Sequence, residues 1–408
     1  MSLYRIKCPK KASLMETIML FVLATFPFIN LYATPISSLG ISDVILLLML
    51  LYYFVVALRR PMVFNSVAKY RFLLICFIVI NFIVVICYSA GYMYLDIFFR
   101  TLRYIIYMSV GLVFPISHER REKIRKIIIA SSLFATVVLI VENMVYRLFG
   151  VYIPGFIPSM PLLCEEAINE QVKNIYIMGG RPFSFFSEPS AYGMYVGLCL
   201  VLVMLIPGRD DHFFIRWFLT GGLILSGSTT GLSSVLVVYA VVFIKRLMHH
   251  NMRFFVKEYL FAITLLPLGI YILLSSSSVQ SMIIRIINGG SSYDRIEGYK
   301  VFGIKYSIEE ILFGHGMNDN IEDFFMSSFP RLYYYWGILG IIIISGLLIW
   351  LFKRIDRESK IVFLFVLFLN IATGWSWGQF NLVSYALVVP VTTLGESMMM
   401  KEDCLINE

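Results

Sequence analysis

The chain has 408 residues, 59% of them hydrophobic and only 15% charged, with a formal charge of +8. A soluble domain carries about 25% charged residues, so this chain has too few to cover a surface in water. Six scattered cysteines (Cys8, Cys76, Cys87, Cys164, Cys199 and Cys404) form no CxxC or Cys/His cluster, which predicts neither a disulfide nor a metal site.

Apolar runs recur from one end to the other, as in VILLLMLLYYFVVAL (Val44–Leu58) and FLLICFIVINFIVVI (Phe72–Ile86). A membrane span needs roughly 20 apolar residues. A helix satisfies its own backbone groups in lipid, and the alternating polarity of a β-barrel is absent. The reading is an all-α polytopic membrane protein, a single integral membrane domain over residues 1–408, with about twelve transmembrane helices.

In chain order, spans are expected near 13–33, 40–58, 71–90, 95–116, 126–148, 189–207, 213–227, 229–245, 257–275, 330–352, 360–376 and 380–398. The first follows RIKCPKKAS and reads as a retained signal anchor rather than a cleaved signal. Two connections are long, 150–188 and 276–329. With the N-terminus inside, about 24 of the 34 lysines and arginines fall in inside segments and about 8 outside. That bias follows the positive-inside rule and puts both termini in the cytoplasm. The +8 charge is therefore assigned to basic loops, not to a nucleic-acid partner.

Both long connections then lie outside, and they hold most of the polar residues expected to do chemistry. The first ends in RPFSFFSEPSAYG (Arg181–Gly193), which sets Arg181 and Glu188 at the mouth of the sixth span. Pro189 suits the first turn of that helix. SGSTTG (Ser226–Gly231) is a small-polar turn that lets two helices meet closely.

The second connection carries Arg285, Asp294 and Arg295, then IEGYKVFGIKYSI, expected to form a helix along the membrane surface. FGHGMND follows as a glycine turn presenting His315. Earlier, LDIFFRTLRYIIYM spaces Arg100 and Arg103 three residues apart, on one helix face, with Asp96 close by. A charge inside a span is a functional candidate by default.

FSEPSAYG, SGSTTG and DRIEGYKVFGIKYSIEEILFGHG, in this order, resemble the recurring pieces of O-antigen polymerases (the Wzy family) and of the related O-antigen ligases. The resemblance implies many spans, two substantial periplasmic loops and a bacterial inner-membrane location. It implies a metal-independent, cofactor-free, inverting glycosyltransferase. The donor and acceptor would be glycan repeat units on undecaprenyl pyrophosphate. A chain-length regulator and a flippase would be neighbours.

Such chemistry needs cations for the pyrophosphate and a base for the acceptor hydroxyl. Arginine suits the first, since its planar fork pairs with phosphate oxygens. The substrate-binding candidates are Arg181, Arg295, Arg285, Arg100 and Arg103, and the catalytic candidates are Glu188, His315 and Asp294. Two rivals stay open, an O-antigen ligase and a lipid-linked oligosaccharide flippase. DNIEDFFMSSFPRLYYYWGILG, after the glycine turn, lacks the histidine that the ligases carry there. A flippase would keep its outside loops short.

Overall fold

The computed structural model describes residues 14–36, 39–58, 66–88, 94–114, 116–157, 159–163, 165–178, 181–206, 213–248, 297–304, 306–317, 326–373 and 380–388, with three single positions at 280, 284 and 287. Among them the architecture is helical. Extended pairing is limited to isolated bridges, Tyr32 with Leu162 and Ala33 with Gly40. The helices are α1 (Leu14–Ile29), α2 (Ile41–Leu58), α3 (Ser66–Tyr88), α4 (Tyr94–Val113), α5 (His118–Phe149), α6 (Glu165–Met178), α7 (Pro189–Met204), α8 (Phe213–Leu225) and α9 (Thr229–Met248). A short 3₁₀ helix (Gly298–Gly303) precedes α10 (Ile308–Phe313), α11 (Ser328–Arg354), α12 (Arg357–Ala372) and α13 (Phe380–Leu387).

Two of these, α5 and α11, are long and apolar enough to cross a membrane. Six shorter apolar helices accompany them among the described residues. Each expected span overlaps a helix except 257–275, which lies outside the described residues, as does 389–398, the second half of the last expected span. Large apolar side chains point outward in stripes: Leu47, Leu48 and Leu51 on α2, Ile80 and Ile83 on α3, Val137, Val141 and Met144 on α5. Water would penalise such stripes, whereas hydrocarbon would not. The arrangement is compatible with a helical membrane protein.

The core centres on α7, whose side chains are buried on every side. A helix apolar all round belongs in an interior. Its neighbours are α5, α8, α9 and α12. The closest approach is to α9, because small residues face each other. A Cβ on Gly193 would stand 2.7 Å from the Gly231 nitrogen, and one on Gly197 would stand 2.7 Å from Ser234 Oγ. The SGSTTG turn starts this contact. Gly227 takes a positive φ of 59°, and Ser228 Oγ accepts from the Gly231 N–H.

Two ends of the bundle differ in chemistry. At the basic end, Arg121 pairs with Asp356 and Glu358, each at 2.8 Å, and Arg120 pairs with Glu16 at 3.0 Å. Arg125 donates to the Leu202 carbonyl, which α7 leaves open at its C-terminus, and to the Ile206 carbonyl just beyond it. Burial pushes the Asp356 carboxyl up, but the Ser359 N–H and the Arg121 charge outweigh it and hold the group below the usual carboxylate range. The opposite end, the loop end, carries the described parts of the first connection (150–157, 159–163, 165–178 and 181–188) and residues 297–304 and 306–317.

The loop end departs from expectation in two places. Glu165–Met178 forms α6, where only a connection was expected. Ile168, Val172 and Ile175 share one face of it; Ile168 and Ile175 are buried, and Val172 packs with Ile175 on Tyr152 and Phe183. The stretch IEGYKVFGIKYSI is not one helix. It makes the 3₁₀ turn, extends at Ile304 (ψ 138°), and restarts at Ser307. The restart has a physical cause, a capping box in which Ser307 and Glu310 bond each other's backbone.

Candidate functional site

The loop end is organised around a break in α11. Gly337 has φ 62° and ψ −163°, which interrupts the helix after Trp336. That conformation is essentially glycine's alone. The break frees the carbonyls of Tyr334 and Tyr335. The turn Gly314–His315–Gly316 fills the gap: His315 N donates to Tyr334 O at 2.7 Å and Gly316 N to Tyr335 O at 3.0 Å. Buried backbone groups released from a helix need new partners, and the turn supplies them. Both flanking glycines also have positive φ, 75° at Gly314 and 69° at Gly316. A Cβ at Gly314 would lie 2.5 Å from the Tyr335 carbonyl carbon. Asn81 of α3 completes the seat by donating to the Phe313 carbonyl.

This seat fixes the His315 ring. It stacks on Tyr334 (centroids 4.4 Å apart, planes at 22°) and meets Tyr306 edge-on at 4.7 Å. Nδ1 stands 3.5 Å from Glu310 Oε1. Nε2 is buried and has no hydrogen-bond partner among the described residues, although the side chain keeps 19% of its exposure. Burial lowers the imidazole pKa from its ordinary value, and the Glu310 charge opposes that. Further rings lead outward from the histidine. Tyr306 neighbours Tyr333, Tyr333 neighbours Phe302 at 4.9 Å, and Phe302 neighbours Tyr299. Tyr299 and Phe302 are exposed.

Cations are contributed by α11 and α4. Arg331 lies one helical turn before Tyr335. Tyr104 of α4 is buried against this part of α11, its ring meeting Trp336 edge-on at 6.0 Å. Arg103 is tethered to α2: it pairs with Asp43 at 3.0 Å, and Tyr107 donates to the other Asp43 oxygen at 2.8 Å. Asp43 itself is 1% exposed. Arg100 stands one turn nearer the loop end on α4, half-buried.

RPFSFFSEPSAYG has mainly a structural role in its first half. Phe183 and Phe186 are fully buried, and Phe185 stacks on Phe134 at 5.2 Å. Ser184 takes a positive φ of 57°. Its N–H donates to Glu142 Oε2 at 2.9 Å, and its hydroxyl to the Ala135 carbonyl at 2.8 Å. Glu142, on α5, is 3% exposed. The Tyr152 hydroxyl and the Gly155 and Phe183 N–H groups surround its carboxylate in looser geometry. Burial, with the Glu142 charge beside it, pushes the Tyr152 phenol well above its ordinary range, so it stays a donor. Gly155 permits the approach, since a Cβ there would be 2.9 Å from Ser184 backbone.

Glu142→Ala is expected to strand the buried Ser184 N–H and cost about 1–3 kcal/mol. Glu142→Gln, which keeps an acceptor, should recover most of it. Thermal unfolding in detergent distinguishes the two, and equal losses would contradict the acceptor role.

Glu188 sits at the N-cap of α7, exposed, without capping the helix. Its carboxylate takes a short hydrogen bond from Ser190. Arg181 is half-buried at the base of the same loop. Arg285, Asp294 and Arg295 lie outside the described residues, and so does the side chain of Asp96. His315, Arg103 and Arg100 thus come to one end of the bundle with Arg331, while Glu188 and Arg181 belong to the loop clamped by Glu142. Sequence reasoning passed over Arg331, Asp43, Glu142 and Glu310. An acid inside an apolar helix was the available signal for Asp43 and Glu142.

Comparison with protein-family models, with curated proteins and with solved structures finds no match to the chain.

Proposed function

We propose that the chain is a bacterial inner-membrane polysaccharide polymerase. It would cross the membrane about twelve times with both termini in the cytoplasm. It would join undecaprenyl-pyrophosphate-linked repeat units on the periplasmic side into O-antigen or a related surface glycan. The observation that carries the reading is His315, whose buried Nε2 has no partner among the described residues and whose ring is fixed on Tyr334, with Arg331 one turn earlier on the same helix. The basic end opposite, with Arg120, Arg121 and Arg125, fits a cytoplasmic face. Exposed rings at Tyr299 and Phe302 offer apolar faces on which pyranose rings can stack.

In this reading the acceptor hydroxyl gives its proton to His315 Nε2 as its oxygen bonds the donor's anomeric carbon. The bond from that carbon to the pyrophosphate oxygen breaks, and the electron pair leaves with the pyrophosphate. Arg103 and Arg331, with Arg100 and the candidates Arg181, Arg285 and Arg295, neutralise the charge that develops there. Glu188 is exposed and engaged by Ser190, which favours His315 over it as the base. A chain-length regulator and a flippase are the partners this role would require.

The test is the surface polysaccharide of a strain lacking the gene, complemented with wild type or with Arg331→Ala at matched abundance. Lipid A core capped by one repeat unit is the expected deletion phenotype. Wild type should restore the ladder, and Arg331→Ala should leave it about 10-fold or more weaker, as for a lost charged contact in a transition state. Core without any repeat would point to a ligase or a flippase. A deletion that leaves every surface glycan unchanged would remove the reading.

A further inference from the structure

The turn bearing His315 also shows how its ring nitrogens are told apart. Glu310 has two oxygens and two separate tasks. Oε2 accepts from the Ser307 N–H at 2.8 Å and closes the capping box of α10. That would suffice for a helix start. Oε1 is left over, and it faces His315 Nδ1 at 3.5 Å. The His315 backbone is pinned to Tyr334 and its ring is stacked on the same residue, so the imidazole cannot swing its other edge to the carboxylate. A neutral imidazole carries one N–H, and its position follows the bond that the other nitrogen makes. Facing a carboxylate, that proton belongs on Nδ1. Nε2 is then a bare acceptor, buried and without a partner among the described residues. A buried acceptor left unpaired is costly, so a ligand donor is its natural complement.

We infer that Glu310 is a positioning residue that holds His315 in its Nδ1-protonated form and so aims the Nε2 lone pair at a ligand hydroxyl. Naming that hydroxyl as an acceptor sugar's rests on the polymerase reading; the tautomer does not. Among the described residues, the titratable groups facing the ring are Glu310 from α10, Tyr306 from the segment before it and Tyr334 from α11. Of these, Glu310 carries the charge that acts on the imidazole.

The experiment is nitrogen-15 NMR of histidine-labelled full-length protein in lipid nanodiscs, with His315 assigned by its loss in His315→Gln. The Nδ1-protonated pattern is expected for wild type. Glu310→Gln keeps an acceptor for Ser307 and turns an amide donor toward Nδ1, so the proton should move to Nε2. Glu309→Gln, on the neighbouring residue, should change nothing. A wild-type ring protonated on Nε2, or one unaffected by Glu310→Gln, overturns the inference. The wild-type spectrum can overturn it even if the variant does not fold.

Turnover adds a second readout on lipid-linked repeat units. Glu310→Gln should lose about 10²-fold or more in chain extension, as expected for a base held in the wrong tautomer. Its acid limb should move to lower pH, because the charge that opposes burial is gone. A tautomer that behaves as expected in a protein whose deletion leaves surface glycans intact keeps the inference and rejects the polymerase. A deletion that stops polymerisation, with a tautomer indifferent to Glu310, does the reverse.

Discussion

Chain extension is expected to fall by about 10²- to 10⁴-fold in His315→Ala, the range general-base catalysis supplies, with little loss of folded protein. The ring contributes stacking on Tyr334 and Tyr306, but the turn itself is held by backbone bonds that alanine keeps. His315→Gln should be as inactive, since an amide cannot accept a proton at neutral pH. The wild-type rate should fall as the pH drops through the imidazole pKa, because the protonated ring has no lone pair to offer. Burial sets that pKa below the ordinary value and Glu310 only partly offsets it, so the base should persist somewhat below the roughly 6.5 of a free histidine. Purified protein in nanodiscs, lipid-linked repeat units and a gel of product length make the measurement. Normal extension by His315→Ala would transfer the base to Glu188 or Asp294.

Gly337→Ala should cost the most in stability. The backbone there occupies a region that side-chain-bearing residues enter at about 1–3 kcal/mol. Its Cβ would also run into the Leu312 carbonyl group, and the Ile311 carbonyl oxygen is 2.6 Å away. Overpacking of that kind adds about 1–3 kcal/mol more. Gly346 is the control on the same helix, since a Cβ there meets nothing within 4 Å. Gly346→Ala should be neutral or stabilise by up to about 1 kcal/mol. Detergent-solubilised protein followed by size-exclusion chromatography through a heating series gives both values. Equal behaviour of the two variants would mean that the break in α11 is not the seat of the turn.

Most of the helices could be read from the chain because an apolar run is a local property. The start of α7 was legible in Pro189, and SGSTTG was legible as a tight turn between α8 and α9, whereas its close approach to Gly193 of α7 was not. What escaped depends on distant partners. Glu142 makes sense only beside Ser184, and Asp43 only beside Arg103. The interruption at Gly337 sits in an unbroken apolar stretch, and its cause is the turn at 314–316. The α6 helix is too polar for a span signal, and its short buried face becomes visible only against Tyr146 and Tyr152. His315 was found by its glycines, whereas its orienting carboxylate lay inside a capping box and read as local.

The enclosure of α7 has a consequence for synthesis. Its walls are made at very different times: α5 precedes it, α8 and α9 follow at once, and α12 comes about 150 residues later. At the roughly 5–20 residues per second of a ribosome, that gap is about 10–30 seconds. Through this interval the flank of α7 destined for Phe365 and its neighbours lacks its final cover, and in the proposed bilayer setting it would lie against lipid. Nascent α7 is apolar enough to wait there. A polar substitution on that flank would therefore act first on biogenesis, as a helix that slips out of the bilayer before its last neighbour arrives.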